Sequence, residues 1–155
     1  MEGLGSSGPS PLFTMAYATQ ANVEAIFGAS NVNKWANIEQ DGVAATITAR
    51  IVLALENADS TINDYLRDSR YTIPFTSSPL PLSLVDTAAR LAGIWLYESR
   101  GVVDMDMETE KPIHKLMWHQ KRVDKWLRNA KVGRIKLDED TTTGHPEVVS
   151  HELTS

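Results

Sequence analysis

The sequence predicts an all-α fold: a compact bundle of about four helices, one long and central, followed by an extended C-terminal arm. Three observations predict it. Apolar residues between positions 43 and 69 recur at three- and four-residue steps, the period of a single helix face. Gly28, Gly101 and Gly133 each stand just past a periodic segment, where glycine closes helices. Strand-like alternation is confined to two short pieces, 71–75 and 134–137. A chain of 155 residues, 42% hydrophobic and 23% charged, fits one such domain.

Residues 1–14 (MEGLGSSGPSPLFT) have the Gly, Ser and Pro content of a flexible leader, and patterned sequence begins at Met15, the expected natural start. The helical domain is expected over 15–133, with the arm and an acidic tail over 134–155. Thr19 suits an N-cap before a short helix over 20–27 that Gly28 stops. Residues 30–36 suit another helical turn with Trp35 folded onto the core, and Gln40-Asp41-Gly42 reads as a turn.

The long helix spans 43–69, on the order of 40 Å at 1.5 Å per residue. Ile47, Ile51, Ala54, Leu55, Ala58, Ile62, Tyr65 and Leu66 fall within roughly a 120° arc of it. Pro74, Pro79 and Pro81 then forbid helix, so 70–82 is expected to be an ordered, extended loop pinned by Tyr71, Ile73 and Phe75. Ser83 is the expected cap of a third helix ending near residue 100, with Leu84, Val85, Ala88, Leu91, Ala92, Trp95 and Leu96 on one face. Thr109 as N-cap and Pro112 in the first turn open the fourth helix, which runs to Gly133.

The net charge of −5 conceals a strong segregation. Residues 1–110 carry 14 acids and 6 bases, 111–136 carry 9 bases and one acid, and 137–155 carry 5 acids and no Lys or Arg. The fourth helix is therefore a cationic rod between acidic neighbours. Ile113, Leu116, Met117, Val123 and Leu127 form its apolar stripe. Trp118, Arg122 and Trp126 lie off that stripe at four-residue steps, with Lys115, Lys125 and His119 nearby, an arrangement that permits cation–π stacking. Three uses stay open: packing on a loop of the same chain, an interface with another protein, or a nucleic-acid surface.

The absences are as informative. With no cysteine there is no disulfide, zinc ribbon or thiol nucleophile. The longest apolar run, 91–97, falls short of the ~20 residues of a membrane span. No phosphate-binding glycine loop or serine elbow occurs. His114 and His119, five apart, would point about 140° apart on a helix and make no metal pair. Glu110 with His114 reads as a surface pair, and the acidic run 104–110 as a solvated loop. No catalytic function, metal or cofactor is expected.

Several segments together resemble a known family. Tyr17-Ala18-Thr19 precedes a short helix ending Phe27-Gly28. The long helix carries Ala58-Asp59-Ser60-Thr61-Ile62-Asn63-Asp64-Tyr65-Leu66, followed by Arg70-Tyr71-Thr72-Ile73-Pro74-Phe75 and an apolar helix ending Trp95-Leu96-Tyr97. From residue 15 to about 137 the chain resembles the Mu-like tailed-phage family grouped with head–tail connector (adaptor or head-completion) proteins. Where that family often has an Asp-Arg-Asp-Gly-like turn, this chain has Glu39-Gln40-Asp41-Gly42.

The resemblance implies a structural virion protein of the neck, assembled in the host cytoplasm. It implies a homo-oligomeric ring of about twelve copies between the portal protein and the stopper or tail-tube protein, passing DNA without reading its sequence. The Trp118–Arg122–Trp126 face, with Lys115, is then expected against the adjacent subunit. Arg134, Ile135, Lys136 and Leu137 are expected to bind the portal or a neighbour by strand addition, and Arg70, Tyr71, Pro74 and Phe75 to form the structural loop. The competing expectation is a small helical nucleic-acid-binding or regulatory protein that uses the basic helix over 111–131.

Overall fold

Thr19 starts the helical part of the chain. In the computed structural model, which describes residues 16–137, its hydroxyl accepts from Asn22 N at 3.2 Å and its own N–H donates to Asn22 Oδ1 at 2.8 Å. This reciprocal cap satisfies donors that helix ends leave bare and opens α1 (Gln20–Phe27). The leader over 1–14 and the acidic tail from 138 lie outside the described residues.

Gly28, at φ 92°, both closes α1 and precedes α2 (Ala29–Ala36), a full eight-residue helix rather than a single turn. Trp35 turns inward as expected and meets Phe27 and Tyr97 edge-on, with ring centroids 5.5 and 5.2 Å apart. The chain reverses through Gln40 and Gly42, both at positive φ.

The long helix, α3, covers Ala44–Leu66. Ile47, Ile51, Ala54, Leu55, Ala58, Ile62 and Leu66 are buried along it as the periodicity required. Tyr65 is the exception: Leu66, one residue and about 100° further round, takes the inward place and Tyr65 stays exposed. In the loop that follows, Tyr71 and Phe75 are buried and Ile73 is partly so.

α4 (Leu82–Glu98) makes its most extensive helix contact with α3. Ser83 is not its cap. Pro81, whose ring fixes φ near the helical value, holds the cap position, and Ser83 lies in the first turn, its carbonyl accepting from Thr87 Oγ1 at 2.8 Å. Small residues on α4 let α1 approach closely. At Gly93 a Cβ would fall 2.1 Å from Phe27 Cε2.

The largest departure from expectation lies between residues 101 and 116. Thr109 and Pro112 do not begin a helix; they belong to a short antiparallel hairpin of β1 (Asp104–Met105) and β2 (Pro112–Ile113). The Asp106 carboxylate accepts from Glu108 N and Thr109 N, both at 2.8 Å, and Glu110 adopts φ 54°, so the segment closes on itself. α5 accordingly starts late, at Met117, and ends at Lys131. Five helices, not four, stand among the described residues, and the domain is all-α apart from this hairpin.

Val123, Leu127 and Ala130 carry the α5 side of the core; Leu116 is partly buried, whereas Ile113 and Met117, which precede or open the helix, are exposed. Gly133 turns the chain at φ 79°, and Arg134 N donates to Asn129 O at 2.8 Å. Residues 134–137 then bend at Ile135 and form no strand. Ile135 packs against the core, Leu137 is 2% exposed, and Tyr71 Oη donates to the Ile135 carbonyl. The described part of the arm is a strap laid on its own domain.

Candidate functional site

The face of α5 expected to meet a partner divides into two parts. Trp118 points outward, 64% exposed, and its ring has two cationic neighbours: Arg122 Cζ at 5.6 Å and Arg90 Cζ, from α4, at 5.5 Å. Arg90 is itself fixed. Its Nε donates to Asp86 Oδ2 at 2.8 Å, one turn back on α4, and its Nη1 lies 2.6 Å from His119 Nδ1. Arg122 Nε stands 3.8 Å from the same Asp86 oxygen.

His119 packs on Phe27 (4.7 Å between centroids) and edge-on to Trp118 (5.2 Å). Burial, and then the Arg90 charge, hold its imidazole below the usual histidine pKa. The neutral ring is the form that can accept from Arg90 at Nδ1. Asp86, Arg90, His119, Trp118 and Arg122 thus make one connected cluster across α4 and α5.

Trp126 does not continue the ladder. Two turns on from Trp118 it is rotated by about 80°, partly buried against the core, and its indole Nε1 is enclosed with no hydrogen-bond acceptor. It lines a groove of about 440 Å³ between the start of α4 and the second half of α5, with Leu82 on one side, Ile135 at the edge and Arg122 and Lys125 at the rim.

Lys115 precedes α5 and pairs within the chain, its Nζ 3.3 Å from Asp104 Oδ1. Asp104 also accepts from Tyr97 Oη and from Arg100 Nη2 at 3.3 Å, which moors the hairpin to the end of α4. His114 lies outside the helix and meets Glu98, at 2.7 Å, rather than Glu110. In the strap, Arg134 and Lys136 are exposed while Ile135 and Leu137 face inward.

The loop residues hold the strap. Arg70 lies over the Tyr71 ring (5.6 Å) and beside Gly133, Tyr71 leans on Phe75 (5.8 Å), and Phe75 N donates to Tyr17 Oη at 2.9 Å. Pro74 follows a cis peptide bond.

Two polar sites were missed in the sequence. One is Arg90 with Asp86, whose i,i+4 spacing was available as a signal. The other is Asp59, which accepts from Tyr17 N at 3.1 and 3.2 Å; burial, partly offset by that bond, raises its pKa to about 6. Only tertiary contact joins Asp59 to Tyr17.

Among the described residues no three His, Cys, Asp or Glu side chains converge as a metal site, and no helix is long and apolar enough to cross a membrane. No curated protein matches the chain. The family model for Bacteriophage Mu, Gp36 matches residues 17–152, nearly the whole chain and including the helices, the hairpin and the strap. The chain belongs to the bacteriophage Mu Gp36 family.

Proposed function

We propose that this phage protein is a head–tail connector, a virion neck component built as a ring of about twelve copies beneath the portal. In this reading it joins the head to a stopper or tail-completion protein and leaves a channel for DNA, with no sequence readout and no catalysis. The observation that carries the reading is Trp118: a large aromatic side chain left mostly exposed between two arginines, on the cationic helix of an acidic chain. Trp and Arg are the residues that anchor protein interfaces. Opposite charge blocks on one chain suit a head-to-tail contact, the kind that closes into rings.

The nucleic-acid reading gains less support, since two cations of the basic segment are engaged within the chain: Lys115 with Asp104, and Lys131 with the Tyr65 carbonyl. Negative-stain images of the full chain mixed with its portal test the proposal. Rings seated on the portal are expected, and Trp118→Ala with Trp126→Ala should abolish them. Salt-sensitive binding to free DNA with no association to portal would favour the other reading.

A further inference from the structure

The hairpin and the groove are chemical complements held too far apart to meet within one copy. At the hairpin, Met107 is 93% exposed, Val103 and Met105 are exposed beside it, and Asp106, Glu108 and Glu110 surround them against a single Lys111. At the groove, Leu82 is 86% exposed, Trp126 offers an apolar wall, and Arg122 and Lys125 form the rim. Asp86, the acid in the groove, is already balanced by Arg90.

The separation is set by α4. Asp104 ties the hairpin to Tyr97 and Arg100 at the C-terminal end of that helix, whereas Leu82 and Thr87 place the groove at its N-terminal end. The 17 residues of α4 span about 25 Å at 1.5 Å per residue. Met107 is three residues beyond Asp104, a reach of about 10 Å even fully extended.

We propose that the hairpin of one copy seats in the α4–α5 groove of the next. Met107 enters between Leu82 and Trp126, where a thioether against an indole is a favourable contact. The Glu108 and Glu110 carboxylates lie toward Arg122 and Lys125. Because the two surfaces differ and occupy opposite ends of the domain, the contact is head-to-tail and propagates from copy to copy. It rests on the ring reading and names the two elements that would make the ring.

The chain lacks cysteine, so the test is clean. Full-length Met107→Cys and Leu82→Cys proteins, both changed at exposed positions, are mixed and oxidised. Their mixed disulfide should form at least about tenfold faster than that of Met107→Cys with Glu39→Cys, since docking raises the local thiol concentration. Arg122→Glu with Lys125→Glu should abolish the excess, and Glu108→Lys with Glu110→Lys should restore it.

A rate no higher than the control overturns the proposal, whatever the oligomeric state. Capture of Leu82→Cys by a Val149→Cys introduced in the same chain, with none by Met107→Cys, also overturns it and assigns the groove to the acidic tail. Images of the same samples separate the two levels: rings without the Met107–Leu82 link refute the docking and leave the connector reading standing. No assembly with portal present refutes the connector reading itself.

Discussion

The guanidinium of Arg90 reaches from α4 to α5 and places its Nη1 2.6 Å from Nδ1 of His119, which sits between Phe27 and Trp118. The bond requires a neutral imidazole. The folded state, through burial and the Arg90 charge, holds the His119 pKa below its ordinary value of 6.5. For a lowered histidine pKa the folding penalty is absent at high pH, grows as pH falls through 6.5, and levels off below the folded value. Urea midpoints should therefore decline from pH 7 toward pH 5 more steeply for the wild type than for His119→Gln. His114→Gln controls for the other described histidine.

Asp59 works in the opposite sense. Burial raises its carboxyl from 3.8 to about 6 in the folded chain. The stabilising contribution is full below pH 3.8 and is lost as pH rises through about 6. Asp59→Asn keeps an acceptor for Tyr17 N and removes the titration. Its stability relative to wild type should rise between pH 4 and pH 7, followed by denaturation at constant ionic strength.

Gly93→Ala tests the α1–α4 approach. The added methyl would lie 2.1 Å from Phe27 Cε2, inside any allowed contact. The ring must shift, and Phe27 is packed on Trp35 and His119. A loss of about 1–3 kcal/mol is expected, as for other overpacked cores, measured by chemical denaturation.

Leu137→Ala should cost about 2–5 kcal/mol, the range for a buried leucine truncated in a core. Tyr71→Phe, which deletes the bond to the Ile135 carbonyl, should cost about 1 kcal/mol. Both values follow from the strap belonging to the domain. A truncation that asks what the tail does should be placed after Leu137, because cutting after Gly133 also removes core.

Trp118→Ala should cost the isolated chain no more than about 1–2 kcal/mol, since the side chain is mostly exposed and its contacts are two surface cation–π pairs and the edge of His119. Portal-dependent assembly should be lost. Equal loss of stability and assembly would place Trp118 in the fold rather than at an interface.

Much of this architecture could be read in advance where one periodic face decided it. Thr19, the bounds of α1, the buried stripe of α3 and the inward Trp35 all follow from local pattern. The start of α5 did not, because Asp106 and the positive φ of Glu110 divert the chain into a hairpin whose two-residue strands are too short to show alternation. Trp118, Arg122 and Trp126 form one ladder only if four-residue steps are exact turns. The accumulated rotation of about 80° separates an exposed indole from one that lines the groove. Arg90, Asp86 and His119 come together only through helix packing, which no spacing within α5 reveals.

Phe27 has a mechanical consequence. It stands at the end of α1, covers Gly93 on α4, meets Trp35 on α2 and packs at a tilt on His119 of α5. A force applied to the outer side of α5 is therefore delivered at once to three other helices. Sliding α5 along α4 would disturb the contact between His119 and the Phe27 ring, which lies close over Gly93. Under load the domain should behave as one stiff block and give way all together, rather than shed a helix at a time.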